Sequence, residues 1–291
     1  MREHSVLGND QMILVLEDNP VFSNVIVHVL EQFPIGYHVV RNGKQAVQAA
    51  ADKAYDLILV DILLSEADGV QAIMEIRQLS DHNAHVPVVG VTPDFGGNGA
   101  GNYQGSGLTG VVKLPVTINN LSNILQNHLG PLGSGRLSPQ QANLEPETNV
   151  RPIVSGGKAA SGELSATLKP ENGVEGPTVH SVMNWAALQK TEAVLEDDFQ
   201  PELADYLKNG PDVVRAMADA IEADDFKKIE KLAHKFRTTS LVFGAESVAD
   251  LSAQLEAMGS DGSVAKVGET LKELRLQLAR VLRKLREKTA R

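Results

Sequence analysis

Two short apolar runs in the first half of the chain end on acids. Glu17 and Asp18 follow Met12–Leu16, and Asp61 follows Leu57–Val60 after a further 43 residues. A carboxylate inside an apolar run costs free energy unless it is paired or functional. If both runs are strands of one sheet, the three carboxylates converge at its carboxyl edge and repel one another. Mg²⁺, which takes octahedral oxygen ligands and keeps several waters, suits such a set. Thr92 closes the run Pro87–Val91 with a hydroxyl, and Lys113 adds an ammonium near the end of Val111–Leu114. A carboxylate nucleophile with a metal, a hydroxyl and an ammonium is the group set that phosphoryl transfer uses. In the last third, His234 edges an apolar stripe (Ile229, Ala233, Phe236), with Lys231 at i−3 and Arg237 at i+3. Two cations beside an imidazole favour an arriving anion and a neutral, nucleophilic ring.

The elements that must carry these residues follow from periodicity. Residues 11–132 alternate strand and helix patterns. Strands are predicted at Met12–Leu16, Tyr37–Val40, Leu57–Val60, Pro87–Val91 and Val111–Leu114. Helices are predicted through Phe22–Phe33, Lys44–Lys53, Val70–Ile76 and Ile118–Leu129. Continuous apolar strands in alternation with helices imply a doubly wound, five-stranded parallel sheet, with chemistry at the carboxyl ends of its strands. Residues 181–291 lack strand patterns. Amphipathic stripes predict a helix starting at Gly210-Pro211, one after Asp224 or Asp225 that carries His234, one closed by Gly259, and a last through Val264–Leu285. These make an antiparallel helical bundle, so the fold class is α/β plus all-α. Between them, residues 133–180 are dense in Gly, Ser, Pro, Asn and Thr and read as a flexible linker with an r.m.s. span of roughly 35–40 Å. Residues 1–10 read as a disordered N-terminus.

Composition narrows the function classes. The 291 residues carry 27 Lys+Arg against 37 Asp+Glu, a net charge of −10, which argues against coating nucleic acid. Cysteine is absent, which excludes disulfide scaffolds, thiolate nucleophiles and Cys-ligated metals. No apolar stretch approaches the roughly 20 residues that span a bilayer. The polar N-terminus lacks a secretory apolar region, so the expected setting is the cytoplasm, with no membrane partner. His82 and His85 read as a solvated loop. The basic C-terminal stretch from Lys272 reads as the outer face of the last helix.

The first segment resembles the receiver domain of two-component response regulators, over roughly residues 10–130. The resemblance rests on Glu17-Asp18, Asp61, Asp68-Gly69, Thr92, Lys113 and Pro115. It implies that Asp61 accepts a phosphoryl group. Asp18, Asp61 and the Leu63 carbonyl would ligate Mg²⁺, with Glu17 acting through water. Thr92 would bond the phosphate and Lys113 would pair with it. Three features depart from the family pattern: Leu114 stands between Lys113 and Pro115, Pro93 follows Thr92, and glycines crowd 96–101. The last segment, over roughly residues 180–288, resembles the histidine-containing phosphotransfer (HPt) domain. The matching residues are Ala233-His234-Lys235-Phe236-Arg237, Ser240, Phe243-Gly244-Ala245 and, upstream, Asn184-Trp185. It implies that His234 carries phosphoryl and that Arg237 helps to bind it, with Thr238 where a smaller residue is usual. Together they imply a phosphorelay component without an ATP-binding kinase domain, either free-standing or the tail of a hybrid kinase. Its expected partners are an upstream histidine kinase and a receiver docking around His234. The linker permits transfer in cis and in trans. The alternative is a degenerate receiver working as an interaction scaffold.

Overall fold

The computed structural model of the chain describes residues 2–4, 11–62, 64, 66–92, 107–113, 116–130, 150–152, 182–262 and 266–290. Leu63, Pro93, the glycine-rich 96–102, Leu114 and Pro115 lie outside the described residues, as does most of the predicted linker. Of Asp68 and Lys113 only the backbone is described.

The sheet has five parallel strands: β2 (Met12–Leu16), β3 (Gly36–Val40), β4 (Leu57–Asp61), β5 (Val88–Thr92) and β6 (Gly110–Lys113). Two strands of three residues, β1 (Arg2–His4) and β7 (Val150–Pro152), add antiparallel edges, giving the order β1-β3-β2-β4-β5-β6-β7. Both edge strands fall where the sequence reading placed a disordered terminus and a linker. A three-residue strand has no measurable apolar period, and pairing with an exposed sheet edge supplies the hydrogen bonds that its own sequence does not call for. The central strands are buried throughout, apart from the half-buried Met12, which is what their unbroken apolar runs require. In register, Leu16 lies opposite Val60 and Asp61 opposite Val91, while Thr92 lies opposite Lys113. The acids therefore do leave the sheet at one edge.

The sheet is covered by α1 (Pro20–Leu30), α2 (Gly43–Asp52), α3 (Glu66–Arg77) and α5 (Ile118–Leu129), with a short α4 (Asp81–His85). The last helix of the layer holds a reciprocal cap between Thr117 and Asn120. His82 is not in a loop: it sits in α4 and shares a hydrogen bond of 2.7 Å with the Tyr55 carbonyl.

The helical part comprises α6 (Trp185–Leu195), α7 (Phe199–Glu222), α8 (Phe226–Val242), α9 (Glu246–Asp261) and α10 (Val267–Thr289). Helix α8 packs on α7 and α9, and α10 packs on the same two. Two sequence expectations change. Helix α7 does not begin at Gly210-Pro211 but runs through them. Pro in a helix interior costs ~3 kcal/mol. Leu203, Tyr206, Val214 and Met217, buried on one stripe, each contribute about 1.5–3 kcal/mol and outweigh it. Gly259 does not close α9, whose left-handed cap is Gly262. A Cβ at Gly259 would stand 2.6 Å from the Glu230 backbone nitrogen, so this glycine permits the close crossing of α8 and α9. Of the two candidate caps, Asp225 accepts the Lys228 N–H at 3.0 Å.

Gly244 is required twice over, by a φ of +66° and by the Asn184 carbonyl oxygen, which would lie 2.2 Å from an added Cβ. Gly244→Ala is expected to destabilise the helical part by about 2 kcal/mol or more, combining backbone strain with overpacking. Thermal unfolding of the full chain measures it; an unchanged midpoint would contradict this account of the turn.

Candidate functional site

Each acid is held by its strand end. The Glu17 N–H donates to the Val40 carbonyl at 3.0 Å, continuing the ladder past the strand. The Glu17 Oε1 accepts the Asn19 N–H at 2.8 Å. Its Oε2 is buried without a hydrogen-bond partner, and so is Asp18 Oδ1. Burial raises the Glu17 carboxyl well above the usual carboxylate range, and the neighbouring Asp61 charge raises it further. Asp61 and Thr92 are buried at the ends of adjacent strands.

Two buried carboxylate oxygens without a hydrogen-bond donor, beside a third acid, make a set of oxygens suited to a positive charge. Among the described residues no three His, Asp or Glu side chains already stand as a complete ligand set. Mg²⁺ does not need one, because it takes one or two carboxylates and fills its octahedron with water. Asp18, Asp61 and Glu17 supply carboxylate oxygens of the kind such an ion takes.

The second half of the site comes from α8. His234 Nε2 lies 3.3 Å from Asp61 Oδ2, across 173 positions of sequence, and His234 Nδ1 lies 2.9 Å from Glu256 Oε1 on α9. An imidazole bonds to two carboxylates at once only as a double donor. Burial by itself would lower the His234 pKa. The hydrogen bonds and charges of Asp61 and Glu256 outweigh that and raise it to about 10. This corrects the expectation of a neutral ring: the side chain is 8% exposed, and two acids that face it from other elements favour its protonated form. It is buried at the seam between sheet and bundle rather than inside the bundle.

Arg237 Nη1 reaches Glu256 Oε2 at 3.4 Å, so it braces the histidine's partner. The cation that enters the acidic pocket is instead Lys235, whose Nζ lies 2.8 Å from Asp18 Oδ2. Sequence reasoning missed Glu256, and it quoted Lys235 only as part of the matching run, without this contact. Lys235 sits directly after His234 and was visible, but its direction depends on which surface the helix meets. Glu256 is one acid among several on α9, and only the crossing at Gly259 brings it to His234. Thr238 lies buried one turn on and bonds the His234 carbonyl at 3.3 Å, satisfying itself within the helix.

Residues 13–126 match the response regulator receiver domain, and residues 202–284 match the Hpt domain. The chain is 29% identical over 154 residues to a probable histidine kinase 1 of Oryza sativa subsp. indica, covering 43% of this chain and 16% of that protein. It is 30% identical over 113 residues to the signal transduction histidine-protein kinase BarA of Escherichia coli K12, covering 39% of this chain and 12% of that protein. It thus spans under a fifth of the length of either relative. Among solved structures, the receiver domain of the sensor histidine kinase PA1611 from Pseudomonas aeruginosa PAO1, with a magnesium ion coordinated in its active site cleft, is 32% identical. The match covers all of that chain and 42% of this one, with a TM-score of 0.39.

Proposed function

Since the chain joins a response regulator receiver domain to an Hpt domain, we propose that it is a phosphorelay component: Asp61 accepts a phosphoryl group and His234 takes it on, or returns it. The observation that carries this reading is the 3.3 Å approach of His234 Nε2 to Asp61 Oδ2. An upstream histidine kinase supplies the phosphoryl group, and other receivers meet His234 on α8. The receiver spans 11–132, a linker 133–180 and the HPt bundle 181–291, in a cytoplasmic setting.

In the first step an Asp61 carboxylate oxygen attacks the donor's phosphorus. A P–O bond to Asp61 forms as the donor's bond to phosphorus breaks. Bound Mg²⁺ would supply positive charge for the phosphoryl oxygens, held by Asp18 and Asp61, with Glu17 behind water. Thr92 and Lys113, opposite one another in register, are the groups assigned to those oxygens. In the second step Nε2, having lost its proton to water, attacks the same phosphorus. A P–N bond forms, the Asp61–phosphorus bond breaks and the carboxylate is restored. Glu256 keeps the Nδ1 proton and so holds the lone pair on Nε2. Arg237 keeps Glu256 in place.

The test is incubation of the full chain with Mg²⁺ and acetyl phosphate, followed by assay of the lability of the bound phosphoryl group. A base-labile acyl phosphate and an acid-labile phosphoramidate are expected, and both should disappear when Mg²⁺ is chelated. A chain that takes no label from acetyl phosphate would favour the scaffold reading.

A further inference from the structure

Resting on the phosphorelay reading, we propose that the resting partner of the His234 surface is this chain's own receiver, docked in cis through α1, and that this contact closes the site to any second receiver until the domains part. The first observation is the burial of α1. A helix covering one face of a sheet needs one apolar face. Here Phe22, Ser23, Val25, Ile26, Val27, Val29 and Leu30 are all buried, well beyond a single stripe. The helix touches α5 and β3 within its own domain, and α6 and α8 of the bundle.

The second observation is the set of polar pairs across the seam. Asn19 Nδ2 donates to Thr239 Oγ1 at 2.9 Å and to the Lys235 carbonyl at 3.2 Å. Asn24 Nδ2 donates to Glu202 Oε1 at 2.5 Å. His28 Nε2 lies 3.3 Å from Asp198 Oδ2, and Lys235 pairs with Asp18. Asn19 at the N-cap of α1, and Asn24 and His28 one turn apart along it, meet α8, α7 and the 3-10 turn Glu196–Asp198 in turn. In both contacts a nitrogen of one domain meets an acid of the other, Lys235 of the bundle on Asp18 and His28 of the sheet domain against Asp198, so each domain complements the other. In this arrangement the side chains of Asp61 and His234 are 5% and 8% exposed. A second receiver needs the same edge of α8, so it cannot bind while α1 occupies it.

The experiment uses the full chain, which has no cysteine of its own. Asn24→Cys with Glu202→Cys, and separately His28→Cys with Asp198→Cys, are treated with a short bismaleimide at low micromolar protein. Expected is a link within one chain, located by peptide mass spectrometry, with a yield independent of protein concentration. Links only between chains, or no link in either pair, would overturn cis docking. In a second arm, Asp61→Asn is mixed with His234→Gln, so that transfer must pass between molecules, each occupied by its own partner domain. Tethering gives the wild-type domains a millimolar effective concentration, so the mixed pair should transfer about 10²-fold more slowly at micromolar protein. Equal rates for the mixture and the wild type would also overturn the proposal. If the wild-type chain takes no phosphoryl label at all, the phosphorelay reading fails while the cross-link still decides the contact.

Discussion

Asp61→Asn is expected to abolish labelling by acetyl phosphate at both residues, by a factor of about 10³ or more, since a missing nucleophile removes covalent catalysis altogether. The amide is isosteric, so the strand end and its neighbours keep their shape. What changes is chemistry: the amide has no anionic oxygen to attack phosphorus and ligates a cation weakly. His234 then receives nothing, because its phosphoryl group arrives through Asp61. The measurement is the lability assay alongside far-UV circular dichroism, which should be unaltered. Acid-labile label persisting on Asp61→Asn would show that His234 is charged by another route. The converse variant, His234→Gln, should keep the base-labile label and lose the acid-labile one.

Glu256→Ala is the second large effect. The Glu256 carboxylate holds His234 Nδ1 at 2.9 Å and receives Arg237 at 3.4 Å. Removing it frees the ring to turn and leaves the guanidinium without that acceptor. Partners that orient an imidazole are worth roughly 10–100-fold when deleted, and that slowing is expected for passage from Asp61 to His234. Loading of Asp61 does not use Glu256, so base-labile label should accumulate at an unchanged rate while the acid-labile form lags. Glu256→Gln keeps an oxygen that accepts the Nδ1 proton and should recover much of the loss. If alanine and glutamine slow both steps alike, Glu256 merely supports the fold.

Much of this site could be read before any coordinates. Asp61 stood out because a charge interrupts an apolar run, and strands buried on both faces leave few other places for an acid. The edge where Glu17, Asp18 and Thr92 gather follows from parallel topology alone. His234 was legible as a polar residue beside an apolar stripe, but its protonation was not. Residues 231 and 237 are near it in sequence, whereas the groups that set its charge, Asp61 and Glu256, arrive from other elements. The same reason hid the contact of Lys235. Gly210-Pro211 and Gly259 misled because local propensity treats them as helix punctuation, while here a buried stripe and a close helix crossing decide.

Asn19 has a consequence for how signals combine. Its backbone N–H binds Glu17, its side-chain oxygen accepts from Val21 and Phe22 to start α1, and its side-chain nitrogen reaches across to Lys235 and Thr239. One residue thus joins the acidic pocket, the foot of a helix and the neighbouring domain. Thermodynamic reciprocity then applies: by whatever factor domain closure alters the pocket's affinity for a cation, the cation alters the closure equilibrium by that same factor. With the proposed cation bound, this residue would be the link through which ionic conditions and domain geometry act on one another.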